Sequence, residues 1–378
     1  MRKKCILVFS DWYAPGYKAG GPIRSCVNFA QQMRDTYDIY IFTSDRDLGD
    51  KFSYEGITTD KWINGDGIKI FYASPENVSW KKVLRQLKLI TPDFIYLNSM
   101  FSRYYSLYPL LMKRLGYTTA SVVLAPRGML KSTAIQYKTI KKSFFLKALK
   151  AIGVPELVCF HATDEKEVED IFQWFGVNVK VQLISNFAAG QSGFEPINKP
   201  TGHLRLIFVG RVHPIKNLLF LLQILRETNC EIHLTIVAAI EDKNYWEQCQ
   251  SVINAFPERI KTILMEDVPH SKIECLIKEH HLFVLPTLGE NFGHAIFEAL
   301  AAGRPVLISD QTPWKGLALQ CAGWDIPLNE ANTFKDVIEE VAAMDSMEFL
   351  NWCKGAWQLA NDCITRSDLK NQYLKLFS

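Results

Sequence analysis

Short apolar runs punctuate the chain at residues 5–9, 39–43, 68–72, 94–97, 121–124 and 157–161, with helix-like segments between them. Runs this short are strand-length, and their alternation with helical stretches predicts βα units on a mostly parallel sheet. The alternation pauses at 190–202, a stretch rich in Gly and Pro with little to bury, which reads as an interdomain linker. It restarts at 204–210, 231–238, 262–265, 281–286 and 305–309, the strands of a second α/β sheet. The expected organisation is therefore a Rossmann-like domain over 1–190, a linker over 191–203, a second Rossmann-like domain over 204–350, and a helical C-terminal segment over 351–378. Two such α/β/α lobes facing each other would take a ligand at the carboxyl ends of their strands, in the cleft between them.

Composition supports two cores: the chain has 378 residues, 48% of them hydrophobic. Its 43 Lys and Arg against 40 Asp and Glu leave a net charge of +3, which argues against a nucleic-acid partner. Nine scattered cysteines without a CxxC pair predict reduced, mostly buried thiols and a cytoplasmic location. The first apolar run stops at Ser10-Asp11, too early for a signal peptide, and no run approaches the roughly 18 apolar residues of a membrane span.

The most informative segment runs from Leu285 to Val306. A buried strand ends at Pro286, a loop carries Glu290 and Gly293, and a helix beginning near His294 carries Glu298 on its early turns. Amides at a helix start suit a diphosphate, glycine permits close backbone approach, and two carboxylates accept sugar or ribose hydroxyls. A second strand end, Gly210-Arg211, is followed by Lys216, both cations being expected in the loop after the strand. There they would clamp the two phosphates and stabilise a nucleotide diphosphate leaving group without a metal.

Gly210-Arg211 with Lys216, then Glu290 and Glu298 seven residues apart, resembles the donor site of glycosyltransferase family 4, and the similarity extends over nearly the whole chain. The resemblance implies the GT-B fold, an acceptor-binding first domain and a nucleotide-sugar-binding second domain whose last helix crosses back to the first. It assigns Arg211 and Lys216 to the diphosphate, Glu290 to the donor sugar and Glu298 to the ribose, with Asn291, Phe292, Gly293 and His294 completing the phosphate cradle. Gly20 and Gly21 resemble the family's glycine loop between first strand and first helix. Ala125-Pro126-Arg127-Gly128, 312–317 and 323–328 look like cleft motifs of members that build bacterial surface polysaccharides such as O-antigen or capsule. Two positions depart from the pattern. Asn98 stands where many relatives place a histidine, and an amide cannot titrate near neutral pH. Ser185-Asn186-Phe187 replaces a frequent Asn-Gly.

Several features admit two readings. Arg127 is either a catalytic cation or a structural ion-pair partner. Asp45-Arg46-Asp47 matches a metal-binding DxD triplet, but its place after the second strand favours a solvated loop, and no metal is expected. His280-His281 lacks a third ligand nearby in sequence. The stretch from Lys138 to Lys150 is either a basic amphipathic helix lying on an anionic membrane or one packed on its own domain with its lysines in water.

The expected function is retaining transfer of a sugar from a UDP- or GDP-sugar to a saccharide or lipid-linked saccharide acceptor, with no other cofactor. The expected location is the cytoplasm, or the periphery of the inner face of the cytoplasmic membrane. A nucleotide-sugar epimerase of the same fold and a non-catalytic sugar-binding protein are the alternatives.

Overall fold

The computed structural model describes residues 2–131, 139–365 and 368–378. The chain forms two compact units, residues 1–187 with 368–378, and residues 188–367.

The first unit is built on eight strands: β1 (Cys5–Phe9), β2 (Asp38–Ser44), β3 (Trp62–Gly65), β4 (Ile68–Ala73), β5 (Phe94–Leu97), β6 (Ser121–Leu124), β7 (Val158–Ala162) and β8 (Lys180–Leu183). Their order is β3-β4-β2-β1-β5-β6-β7-β8, all parallel except the β3–β4 hairpin. The sheet is buried on both faces, so β1 reads as a continuous apolar run, with every side chain buried. Leu7 and Phe9 enter one core with Leu124 and Phe160, while Ile6 and Val8 enter another with Phe29, Tyr96, Tyr373 and Phe377. β3 and β8 escape the sequence pattern because they are half-exposed edge strands, defined by pairing with β4 and β7 and not by an apolar run.

The second unit carries β9 (His203–Val212), β10 (Glu231–Ile240), β11 (Ile260–Met265), β12 (Leu282–Leu285), β13 (Val306–Ser309) and β14 (Gly323–Ile326). The order is β11-β10-β9-β12-β13-β14, entirely parallel, around one core. In each sheet the strand order reverses beside its first strand, between β1 and β5 and between β9 and β12. Loops leaving neighbouring strands part at such a switch point and open a crevice over their carboxyl ends.

The expected boundaries need correction. The Gly- and Pro-rich stretch 190–202 belongs to the second unit: Phe194 and Ile197 pack on its core. Lys199 is 1% exposed and donates from Nζ to the carbonyls of Ala342 and Met344, each at 2.8 Å. The C-terminal segment is two helices. Ser346–Thr365 packs on the second core through Phe349, Cys353, Ala356 and Ala360, whereas Leu369–Leu376 joins the first unit. There Tyr373 stacks on Phe187 at 4.4 Å between ring centroids, and Phe377 lies against Phe29, Phe94 and Tyr96.

The cysteines are all unpaired, but Cys275 and Cys321 are exposed. Among the described residues no helix is long and apolar enough to cross a membrane.

Candidate active site

At the switch point of the second unit the chain places its charges in pairs. β9 runs two residues further than expected, so Arg211 lies on the strand itself and not in the loop after it. From there its guanidinium reaches Glu241, just past β10, at 2.5 Å. Lys216 ends the short turn Pro214–Lys216, which His213 opens by accepting the Ile215 amide, and Asn217 then takes a left-handed backbone at φ +57°. The turn brings the Lys216 ammonium onto the Glu290 carboxylate, 74 residues further on, with the two side chains only 17% and 13% exposed. Loops after β9 and β12 thus meet through one ion pair. The Leu288 amide and the Thr287 hydroxyl both donate to the Ile215 carbonyl, fixing the two loops against each other.

The loop after β12 ends at Gly293, φ +76°, from which the helix His294–Ala301 starts. The positive φ at Gly293 favours glycine, and a Cβ there would also push aside the Ile296 side chain, whose Cδ1 would lie 2.8 Å away. Its N-cap residue is a glycine, which brings no capping side chain of its own, and the positive end of the helix dipole there suits an anion. Glu298, one turn in, is 15% exposed and accepts from His270 Nε2 at 2.9 Å.

Within the motif 312–317, the Trp314 indole N–H donates to the Phe292 carbonyl at 2.6 Å and its ring packs on Phe292 and Phe297. Asp325 on β14 accepts the amides of Gly316 and Leu317 and holds the Trp314 loop. Its signal was the motif 312–317 followed by 323–328, whose contact with the glycine turn only the fold reveals.

The first unit has its own constellation. Gly20, at φ +66°, precedes the helix Gly21–Met33, again without a side-chain cap. The loop leading to it is pinned by Asp47, whose Oδ2 accepts the amides of Tyr17 at 2.6 Å and Lys18 at 3.0 Å. Asp45 and Asp47 are 2% and 5% exposed, and Asp45 pairs with Arg46, so the triplet is a buried brace and not the solvated loop expected. Among the described residues no group of three His, Cys, Asp or Glu side chains is placed to hold a metal ion.

Arg127, at φ +56°, donates to Asn98 Oδ1 at 2.7 Å, to Tyr96 Oη at 2.7 Å and to Asn186 Oδ1. The ion-pair reading gives way to neutral hydrogen-bond partners. A carboxylate acts on Arg127 without bonding it: Glu167, fully buried, accepts the Gly128 amide and both the amide and hydroxyl of Thr163. Asn186, one of the departures, is thus tied into the site. At Asn98 the guanidinium fixes the amide orientation, and the buried Nδ2 is left with no hydrogen-bond partner. Tyr96 in turn meets His161 Nδ1 at 2.7 Å, and His161 Nε2 meets the Ile184 carbonyl at 2.8 Å. Burial and the Arg127 charge push the His161 pKa down to about 3, so its imidazole is neutral.

Asp11 escaped the sequence reading. It lies just past β1, accepts the Ser102 hydroxyl at 2.6 Å, and burial raises its pKa above the usual carboxylate value. Its signal was position alone, the second residue after a buried first strand. His280 bridges the Leu276 carbonyl and Thr235, and His281 meets Arg205 at both ring nitrogens, which makes both structural.

The structure therefore joins Lys216 with Glu290, and Gly293 with the helix of Glu298, in the second unit. Arg127 and Asn98 are joined in the first, whose glycine loop carries Gly20 and Gly21. Arg211 is turned toward Glu241.

By sequence, no curated protein matches the chain. Residues 203–343, the greater part of the second unit, match the family model described as glycosyl transferases group 1. Among solved structures, the sucrose-phosphate synthase of Thermosynechococcus elongatus is 16% identical, with a TM-score of 0.70 and coverage of 100% of this chain and 98% of that one. Anabaena HepE, in complex with UDP and glucose, is 14% identical with a TM-score of 0.65, covering 99% of each chain. WaaG, a glycosyltransferase involved in lipopolysaccharide biosynthesis, is 13% identical with a TM-score of 0.58, covering 98% of each. The chain thus has the GT-B fold of two Rossmann-like domains, and its second domain carries the sequence signature of glycosyl transferases group 1.

Proposed function

We propose that this protein is a nucleotide-sugar-dependent glycosyltransferase that transfers with retention, its donor site lying at the switch point of the second domain. The observation that carries the reading is the Lys216–Glu290 pair in the loops that lead to the glycine-started helix His294–Ala301. The pair sets a cation for phosphate beside a carboxylate for sugar hydroxyls, and the helix amides add a second anion-binding element. UDP in the HepE complex and the group 1 match over the same domain support a nucleoside diphosphate donor.

When the donor binds, its diphosphate takes Lys216 from Glu290 and Arg211 from Glu241, and the released Glu290 accepts hydroxyls of the sugar. Charge developing on the leaving diphosphate is held by the two cations and the helix amides, with no metal required. The leaving phosphate oxygen accepts the acceptor's hydroxyl proton on the same face, which preserves the anomeric configuration. The acceptor is a saccharide, lipid-linked, in the assembly of a surface polysaccharide, a reading in keeping with the WaaG likeness.

A lipid-linked acceptor fits the helix Thr139–Ala151, where Leu146 and Leu149 are buried while Ile140 is 85% and Phe144 75% exposed beside exposed Lys141, Lys147 and Lys150. Lys138, at the head of the stretch, lies outside the described residues. Such a face would rest on an anionic membrane.

A thermal-shift screen against UDP, GDP, ADP, CMP and their sugar conjugates tests the donor site. One diphosphate should raise the melting temperature, and Arg211→Ala and Glu298→Ala should abolish the rise. Arg211→Ala should also cost on the order of 2–5 kcal/mol of transition-state stabilisation. No shift with any nucleotide would sink the reading, and acceptor-free conversion of the donor to an epimer would replace it with an epimerase. Flotation with anionic liposomes checks the membrane face, and absence of binding at low salt would remove it.

A further inference from the structure

We propose that His270 is the positioning residue of the donor nucleotide's ribose, holding the Glu298 carboxylate for the ribose hydroxyls. The inference rests on the donor-site reading above and extends it to a residue outside every segment that reading uses. Glu298 projects from the helix His294–Ala301, and His270 is the first residue of a different helix, His270–Lys278. The imidazole Nε2 lies 2.9 Å from Glu298 Oε1, with the two side chains 33% and 15% exposed.

A glutamate has three rotatable side-chain bonds, and one that must receive a vicinal diol in a fixed orientation loses affinity to that freedom. An imidazole N–H on one carboxylate oxygen removes most of it beforehand and leaves the second oxygen, Oε2, for the diol. Neutral imidazole suffices, because only one N–H donor is used. His270 is itself held in place: its helix starts directly after Pro269, and Ile273 and Ile277 on the same helix are buried in the domain core. The arrangement makes the site a reader of ribose as well as of phosphate.

The test measures binding of UDP and GDP, and of 2′-deoxy-UDP and 2′-deoxy-GDP, to the full chain by calorimetry, with steady-state kinetics on whichever donor is turned over. For the nucleotide that binds, His270→Ala should weaken the ribonucleotide about tenfold, raise KM by a similar factor and leave kcat within about twofold. The preference for ribo- over 2′-deoxyribonucleotide should fall toward unity. His270→Gln, whose amide reaches about as far as Nε2, should restore most of both. A merely structural histidine would lower affinity for both nucleotides alike, and that result, or unchanged affinity in His270→Ala, overturns the proposal. If the unaltered protein binds no nucleoside diphosphate, the donor-site reading fails and this inference with it. Binding by the unaltered protein with no change in His270→Ala removes the inference alone.

Discussion

Each domain holds buried or half-buried cations at or beyond the carboxyl ends of its strands, but they are satisfied in opposite ways. In the first domain Arg127 spends its guanidinium on Asn98, Tyr96 and Asn186, all neutral, and the network closes through His161 onto the Ile184 carbonyl. In the second domain Lys216 and Arg211 each rest on one carboxylate, Glu290 and Glu241. A ligand anion can replace a carboxylate one for one. It cannot replace a set of neutral acceptors without orphaning them. The first arrangement therefore resists exchange, whereas the second allows an anion to take the place of a carboxylate.

The contrast breaks first at Arg127. Arg127→Met removes the donor shared by three side-chain acceptors, and we expect a loss of about 3–5 kcal/mol of stability, read as a shift of the denaturant midpoint. A loss below about 1 kcal/mol would show the network to be loose. Next comes Lys216→Met: nucleoside diphosphate affinity should fall by about 2–3 kcal/mol, while stability falls by about 1–3 kcal/mol, less than for Arg127→Met, because the largely buried Glu290 carboxylate loses its cation. Calorimetric binding beside a melting curve separates the two.

A pH titration sharpens the same difference. The folded His161 pKa of about 3 lies below the unfolded value near 6.5, so the unfolded chain takes up the proton first. The stability His161 contributes is complete above about pH 6.5 and declines as pH falls, by about 2 kcal/mol at pH 5. His161→Gln should flatten that part of the pH–stability curve. The smallest effect is expected at Glu241→Gln. Freeing Arg211 from its half-exposed partner should alter stability by no more than about 0.5 kcal/mol and tighten diphosphate binding two- to threefold. A weaker-binding variant would show that Glu241 orients Arg211 and does not merely occupy it.

The parts of this fold legible in the sequence are those where burial on two faces imposes continuous apolar runs, as in β1 and β12. The edge strands β3 and β8 were not legible, because their pairing and not their composition defines them. Within the site, Glu290, Gly293 and Lys216 could be found because their chemistry is packed into short segments at strand ends. His270 and Asp11 could not, and Trp314 was visible only as part of the motif 312–317. Each acts by touching a residue far away in sequence, and histidine, tryptophan and aspartate carry many bland roles. The buried brace of Asp45 and Asp47 shows the reverse error, since charged triplets are exposed unless a neighbouring loop offers them amides. The Gly- and Pro-rich stretch misled in a similar way, because backbone punctuation says nothing of the buried ammonium of Lys199 nearby.

The last helix carries a consequence for biosynthesis. Tyr373 and Phe377 fill an aromatic cluster in the first domain, yet they leave the ribosome only after the entire second domain. At about 5–20 residues per second, the first domain waits roughly 10–40 s with that cluster open while the second domain is being made. The domain synthesised first is thus the last able to complete its core, and during that interval its apolar face is a target for chaperones.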